Sequence, residues 1–390
     1  MIAVIADDFT GAAEIGGVGL RYGLNVVIKT VLDDTENPDL LIIATNSRSL
    51  SPEEASLEIE RITGELIRLN PDFIYKKLDS VLRGNIAAEL NAQMSVMGKR
   101  RAFLIAGNPN LGRIIDRGIY RINGTLLQNT SFAQDPEFPR ICSSVIELIG
   151  QTPVPAVSRK ISDPLPEYGI IVGDVTNQSD MSKWAGLIDK NSVPCGSAGF
   201  LDELLAKRYV KKNTPSKEIY NLGAKTVFVL GSMFPKNDRM IGKMNGFGLI
   251  NMNMPVSLYN NPEIVEEDLK NWAGNIIEKL NGGHKIAVTI ENINHHGPGL
   301  SNKIRKIVGR LILLVIEEVE LKDLLIEGGA TTYEVLKCLR IKKLIPFHEL
   351  DLGIIQMKVE EYPGLCITTK PGSYSWPDRV DFEDKRHTKL

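Results

Sequence analysis

Short continuous apolar runs that break off at polar or acidic residues alternate along this chain with stretches of helical period, the layout of a layered α/β fold. Residues 2–6, 25–29 and 40–45 read as buried-type strands. Ser51-Pro52-Glu53-Glu54 then opens a helix, with a capping serine, proline at the first helical position and acids in the first turn. That helix runs to about Leu69, where Asn70-Pro71 stops it. A strand over 73–78, a helix over 84–97 and a strand over 102–106 follow. From 107 to 139 the period fails, and Asn, Gly, Pro and Asp predict a long structured loop, uncommon in a compact domain unless it has a task. Strand 170–172 and helices 181–189 and 200–206 close the first half.

Residues 207–223 are charged and polar, contain Pro215, and separate two well-patterned regions. With 390 residues the chain exceeds one ordinary core, so two domains are expected, 1–210 and 220–390. The second half restarts the α/β pattern: strand 226–230, helices 238–244 and 263–280, strands 285–289 and 324–326, a helix to about 339, then strands 353–359 and 366–369.

Bulk properties exclude more than they assign. The hydrophobic share is 43%, the charged share 24% and the net charge −2, so a normal core is expected and no electrostatic pull toward nucleic acid or a membrane surface. Aromatics are 6% and no basic run interleaves with them. No apolar run approaches the ~20 residues of a membrane-spanning helix. Asp7 and Asp8 stand where a secretory signal would need its apolar stretch. Cys142, Cys195, Cys338 and Cys366 form no metal or redox spacing and read as thiols of a reducing compartment, the cytoplasm. A homodimer is the base-rate expectation. His295-His296, beside Gly297-Pro298, reads as solvated loop.

Ligands of open α/β sheets bind beyond the carboxyl ends of strands, and polar residues cluster there in both halves. The first strand is followed by Asp7-Asp8-Phe9-Thr10-Gly11, two adjacent carboxylates entering a helix; Asp8 or Thr10 as a plain cap explains the pair equally well. Lys77-Leu78-Asp79-Ser80-Val81-Leu82-Arg83-Gly84-Asn85 puts a lysine and an arginine on one strand-to-helix turn, suited to a carboxylate and several hydroxyls. Gly107-Asn108-Pro109-Asn110-Leu111-Gly112-Arg113 and later Asp135-Pro136 gather on the long loop. In the second half Leu230-Gly231-Ser232 and Glu327-Gly328-Gly329-Ala330-Thr331 are glycine-rich strand ends whose N–H groups can cradle an anion. Thr369-Lys370-Pro371-Gly372 is a third strand end of this type, and none matches Walker A or GxGxxG.

Taken in order, these segments resemble the four-carbon acid sugar kinase family, which phosphorylates threonate, erythronate and 3-oxo-tetronate. Residues 6–12 are similar to its opening acidic motif, and 77–85 to its Lys-x-Asp-Ser-Thr-Leu-Arg-Gly-Asn, with Val81 for threonine. Asn108-Pro109, Gly112-Arg113, Asp135-Pro136, Gly173-Asp174-Val175-Thr176 and Gly196-Ser197-Ala198-Gly199-Phe200 complete the series. The resemblance implies a first domain for the sugar acid, a second for ATP with Mg²⁺, and transfer across a cleft between them. It implies Asp7, Asp8 and Asp79 as catalytic acids, with Lys77, Ser80, Arg83, Gly84, Asn108, Arg113 and Asp135 on the substrate. It places Ser232, Gly328, Gly329, Ala330, Thr331, Lys370 and Gly372 at the nucleotide. The chain departs from the family at Ala330, where a glutamate is common, and at Ser375, where a glycine is. Those departures suit a rival, a sugar-acid and nucleotide-binding protein without turnover. An oxidoreductase is disfavoured by the missing dinucleotide fingerprint.

Overall fold

The computed structural model describes residues 1–33, 37–135, 137–212, 220–230, 249–261, 263–290, 299–377 and 380–381. The chain divides into two compact units, Met1–Thr214 and Pro215–Leu390. Each is an α/β assembly, as the pattern of buried runs predicts.

In the first unit the strands are β1 (Ile2–Ala6), β2 (Val26–Lys29), β3 (Leu40–Ala44), β4 (Ile74–Lys77), β5 (Arg101–Ile105), β9 (Ala156–Arg159), β10 (Gly169–Gly173) and β11 (Ser192–Gly196). They lie side by side as β2-β3-β1-β4-β11-β5-β10-β9, every neighbouring pair parallel. Parallel strands need crossovers, and five helices lie on them: α1 (Phe9–Arg21), α2 (Pro52–Arg68), α3 (Ile86–Val96), α4 (Val145–Ile149) and α5 (Gln178–Gly186), while α6 (Ala198–Ala206) follows the last strand. Helix α2 begins with the capping box read from the sequence, Ser51 and Glu54 bonding reciprocally. Helix α1 packs on α6 and α6 on α5, whereas α2 packs on α3, so the sheet is covered on both faces. That double cover is why β1, β3, β4 and β10 are buried at every position. The chain leaves β1 toward β3 and β2, then returns to β4 on β1's other side, so a topological switch point lies between β1 and β4.

Residues 107–139 are more ordered than a loop. They carry a small antiparallel sheet, β6 (Arg113–Asp116), β7 (Ile119–Ile122) and β8 (Thr125–Leu126). Ile115, Tyr120 and Leu127 anchor it in the core beside β5 and β10, and those few buried side chains among turn residues are too sparse to show as a period.

In the second unit the strands are β12 (Tyr220–Asn221), β13 (Thr226–Leu230), β14 (Leu249–Asn253), β15 (Lys285–Thr289), β16 (Asp323–Glu327), β17 (Lys343–Asp351), β18 (Ile354–Val359), β19 (Cys366–Lys370) and β20 (Val380–Asp381). The order β14-β15-β13-β16-β19 is parallel, while β18 and β17 continue it antiparallel; β12 pairs with β20 separately. The helices are α7 (Val256–Asn260), α8 (Glu266–Asn281), α9 (Leu300–Glu318) and α10 (Gly329–Cys338). The sequence pattern missed α9, whose β-branched, nearly unbroken apolar run from Ile307 to Ile316 hides its helical period. The helix expected over 238–244 lies outside the described residues, as do Ser232 and His295-His296. Among the described residues no helix is long and apolar enough to cross a membrane.

Candidate active site

At the switch point three strand ends deliver charge to one place. Asp8 caps α1, its Oδ1 accepting from the Gly11 N–H at 2.8 Å and its Oδ2 from the Thr10 hydroxyl at 2.5 Å. From the turn after β3 comes Arg48. Its Nε donates to Asp7 Oδ2 at 2.8 Å and its Nη2 to Asp7 Oδ1 at 3.1 Å. The same Nη2 lies 2.9 Å from Asp8 Oδ1, and Nη1 lies 3.3 Å from Asp79 Oδ1. From the turn after β4, Arg83 forks onto Asp79 (2.9 and 2.8 Å) and reaches Asp135 Oδ2 at 2.9 Å. Lys77 Nζ pairs with Glu14 of α1 at 3.2 Å.

The β4 turn is itself built by Asp79. Its Oδ2 accepts from the N–H groups of Val81 and Arg83 at 3.0 and 3.1 Å, and Leu82 is held at φ 62° with its side chain fully buried. A leucine in the left-handed region is costly, and here the surrounding hydrogen bonds over-determine it. Gly84 stands at φ 89°, where a Cβ would lie 3.0 Å from Arg48 Cγ. Gly11 is equally confined: a Cβ there would lie 2.8 Å from Asp8 Oδ1 and 3.2 Å from Lys77 Nζ. Both glycines let backbone approach the charged cluster.

Burial alone would raise Asp8 and Asp79. For Asp8 the Arg48 guanidinium, the Thr10 hydroxyl and the Lys77 ammonium outweigh it and hold the carboxyl below its usual range. For Asp79 burial is outweighed by Arg83 and Arg48, which hold it well below. Burial opposes the charge of Lys77, but Glu14, Asp8 and the other acids raise it. Both acids are therefore ionised at neutral pH, and so is the lysine.

The remaining candidates divide. Ser80 contributes its carbonyl, which accepts from the Tyr120 hydroxyl at 2.6 Å. Asp135 also accepts, through Oδ1, from the N–H groups of Glu137 and Phe138, so it orders its own turn. Asn108 and Arg113 follow β5, which β11 separates from β4; they exchange backbone hydrogen bonds with each other at 2.7 and 3.0 Å. Asp174, offered by the sequence as part of a motif, accepts from the N–H groups of Arg117 and Gly118 and from Ser158, so it braces the β6–β7 turn.

In the second unit the turn at Gly328 (φ 90°) leads into α10, which has no side-chain cap, so its first N–H groups are unclaimed by a capping side chain. The Gly328 N–H donates to the Lys370 carbonyl at 3.0 Å, bringing the Gly328–Thr331 and Lys370–Gly372 segments together. Lys370 Nζ pairs with Glu327 Oε1 at 2.9 Å, donates to the Tyr374 carbonyl at 2.7 Å, and lies 5.5 Å from the centre of the Trp376 ring. Trp376 Nε1 donates to the same Glu327 oxygen at 2.9 Å. Lys370 thus fixes the Pro371–Tyr374 turn from beneath.

A family model described as a sugar-binding N-terminal domain matches residues 2–204, more than half of the chain. A D-threonate kinase of Salmonella typhimurium is 29% identical over 228 residues, 53% of this chain and 54% of that protein. A D-erythronate kinase of Heliobacterium modesticaldum is 25% identical over 316 residues, 74% and 71% of the two. The chain belongs to the four-carbon acid sugar kinase family. The matched part spans about half the length of the D-threonate kinase. A solved structure from Salmonella typhimurium LT2 shares the fold at a TM-score of 0.76 and 17% identity, covering 98% of this chain and 97% of that one.

In this member of the family the motif reading passed over two residues of the charged cluster, Arg48 and Glu14. Thr45-Asn46-Ser47-Arg48 follows a strand, which was the available signal, but Ser51 three residues on drew the segment into a helix cap. Glu14 lies on the buried face of α1, where its partner on β4 is visible only once the sheet order is known.

Proposed function

We propose that the protein is a kinase that transfers the γ-phosphoryl group of ATP to the terminal hydroxyl of a four-carbon sugar acid. The observation that carries this reading is the convergence of Asp7, Asp8, Lys77, Asp79 and Arg83 on one buried cluster inside the family's sugar-binding stretch. The names of the relatives, D-threonate and D-erythronate kinase, supply the substrate class. In this reading residues 1–210 hold the sugar acid and 220–390 the nucleotide.

Phosphoryl transfer asks for positioning and charge neutralisation more than covalent help. Lys77 and Arg83 supply cations for the substrate carboxylate; Ser80, Gly84, Asn108, Arg113 and Asp135 border its hydroxyls. Asp8 or Asp79 orients the attacking hydroxyl and takes its proton, and the depressed acidity range of both favours orientation as the larger share. The N–H groups at Gly328, Gly329, Ala330 and Thr331, with Gly372, suit phosphate oxygens, and Lys370 holds that turn in place. Ser232 would join them from outside the described residues. No group of three metal-ligating side chains occurs among the described residues, and Arg48 engages Asp7, Asp8 and Asp79. Asp7 is the residue that would hold Mg²⁺ in this reading, and the ion would supply neutralisation of phosphate charge.

The test is ADP release from Mg²⁺-ATP over a panel of four-carbon sugar acids. Saturable release with one or two acids is expected, giving a 4-phosphate of a tetronic acid. Silence across the panel, with no thermal stabilisation by ATP, would overturn the kinase reading in favour of a protein with a decayed nucleotide site.

A further inference from the structure

Two carbonyls of the turn after β4 find their donors outside it. Within the turn the N–H groups all go to Asp79: those of Val81 and Arg83 to its carboxylate, that of Leu82 to its carbonyl at 3.1 Å. The carbonyls of Ser80 and Leu82 are left over, and a backbone acceptor in a buried turn needs a partner. The Tyr120 hydroxyl of β7 takes the first at 2.6 Å, and Arg140 Nη1 takes the second at 2.7 Å. Tyr120 is a fully buried core residue whose hydroxyl needs an acceptor in any case. Arg140 is only partly buried. It places its guanidinium on two backbone carbonyls, Leu82 through Nη1 and Phe138 through Nε at 3.0 Å, so it holds chain in place.

Those bonds close a ring around Arg83. Arg83 Nη1 donates to Asp135 Oδ2 at 2.9 Å, and Asp135 Oδ1 accepts from the Phe138 N–H at 2.9 Å. The Phe138 carbonyl accepts from Arg140, and Arg140 returns to the Leu82 carbonyl, which belongs to the peptide bond of Arg83 itself. The Arg140 N–H donates to the carbonyl of Phe132 at 2.9 Å, tying the ring to the core that also contains Leu82 and Tyr120. If a ligand carboxylate takes the Nη1 donor from Asp135, every other bond of the ring stays closed. Leu82, at φ 62°, is the part of the turn least able to hold its own shape, and Arg140 grips that residue from outside.

We infer that Arg140 is a positioning residue for the substrate carboxylate. By holding the Leu82 carbonyl it fixes the Leu82–Arg83 peptide, so that Arg83 keeps its fork on Asp79 and presents Nη1 in one direction. Its part is preorganisation and needs no contact with the ligand. The inference rests on the function proposed above only where turnover is read.

Two variants separate positioning from plain structure. Arg140→Met keeps the apolar stem and removes both bonds, whereas Arg140→Lys keeps one charged donor for Leu82. In hydrogen exchange the Val81, Leu82 and Arg83 amides should be at least tenfold less protected in Arg140→Met, and within threefold of the wild type in Arg140→Lys, with β1 and β5 unchanged in both. Wild-type protection of those three amides in Arg140→Met would overturn the inference, whatever the protein phosphorylates. So would faster exchange throughout β1 and β5, which would make Arg140 a structural residue of the whole unit. A lysine variant as unprotected as the methionine one would overturn the Leu82 bond as the cause. If the panel yields a substrate, Arg140→Met should raise its KM at least tenfold while kcat and the KM for ATP stay within threefold, and Arg140→Lys should recover most of the loss. An unchanged KM for the sugar acid would overturn the inference. A wild type silent on every acid and not stabilised by ATP would count against the kinase reading alone, leaving the exchange measurement to decide Arg140.

Discussion

Arg48 is the residue whose removal the geometry makes most informative. Its guanidinium contacts three carboxylates with side-chain exposures of 6%, 8% and 4%. Arg48→Met keeps most of the volume and removes the charge. Asp79 would retain Arg83, and Asp8 would retain Thr10, the Gly11 N–H and nearby Lys77. Asp7 would not be rescued, since both of its side-chain hydrogen bonds come from Arg48. The loss is therefore nearer one broken buried pair than three, about 3–5 kcal/mol at neutral pH. For a unit of this size that is a fall in Tm of roughly 6–20 °C. The pH dependence gives the sharper check. In the wild type Asp8 and Asp79 lie below their ordinary values, so their stabilisation is full above about pH 4 and is lost as pH falls through the depressed values. Without Arg48, Asp8 loses the largest of the influences that oppose burial, so its carboxyl holds a proton the unfolded chain has released and stability falls as pH rises. Calorimetry at pH 5 and pH 8 should show a deficit clearly larger at pH 8. A deficit below about 1 kcal/mol, or one equal at both values, would refute the cluster as a set of buried charges bound by Arg48.

Asp8→Asn should lower turnover by about 10²–10⁴ while leaving sugar-acid binding within a few-fold, measured by ADP release and calorimetric titration; full turnover would remove Asp8 from the mechanism. Gly84→Ala combines positive φ with the approach to Arg48 Cγ, so a loss of about 1–3 kcal/mol in urea unfolding is expected, and a neutral result would deny the close approach. Lys370→Met leaves Glu327 buried without its cation, so the second unit should lose about 3–5 kcal/mol and ATP should no longer raise its melting temperature. Retained ATP stabilisation would show that the Pro371–Tyr374 turn does not depend on Lys370.

The parts of the fold and site legible in sequence are those encoded locally. Ile2–Ala6 is an unbroken apolar run ending in Asp7-Asp8, and a parallel strand covered on both faces must look that way. Ser51-Pro52-Glu53-Glu54 encodes its helix start in four residues. What stayed hidden depends on neighbours distant in sequence. Arg48 matters because β3 lies beside β1, an adjacency no residue near 48 records. Glu89 sits among apolar residues in α3, and its partner Lys76 reads as half of a lysine pair at a strand end. The β6–β8 sheet failed to show because its strands, of 4, 4 and 2 residues, set only a few buried side chains among turn residues instead of an unbroken apolar run.

The charge pattern of the cluster also constrains how a sugar acid would enter. Asp7, Asp8, Asp79, Asp135 and Glu14 face Arg48, Arg83 and Lys77, five acids against three bases. Every one of those bases is already paired, so an incoming carboxylate meets no idle cation among the three. It has to compete with an internal acid, and the bonds differ in how readily they yield. Arg83 grips Asp79 with two parallel bonds inside a turn that Asp79 also builds through backbone N–H groups. Its single bond to Asp135 is different, because Asp135 keeps the Glu137 and Phe138 N–H groups if Arg83 lets go. The Arg83–Asp135 contact is thus the exchangeable one: under the proposed function a substrate carboxylate would take that Nη1 donor while the Asp79 fork and the Arg48 network stay closed. Recognition by exchange, rather than by a waiting cation, favours a ligand whose hydroxyls satisfy the displaced acid, which is what separates a sugar acid from a plain carboxylate.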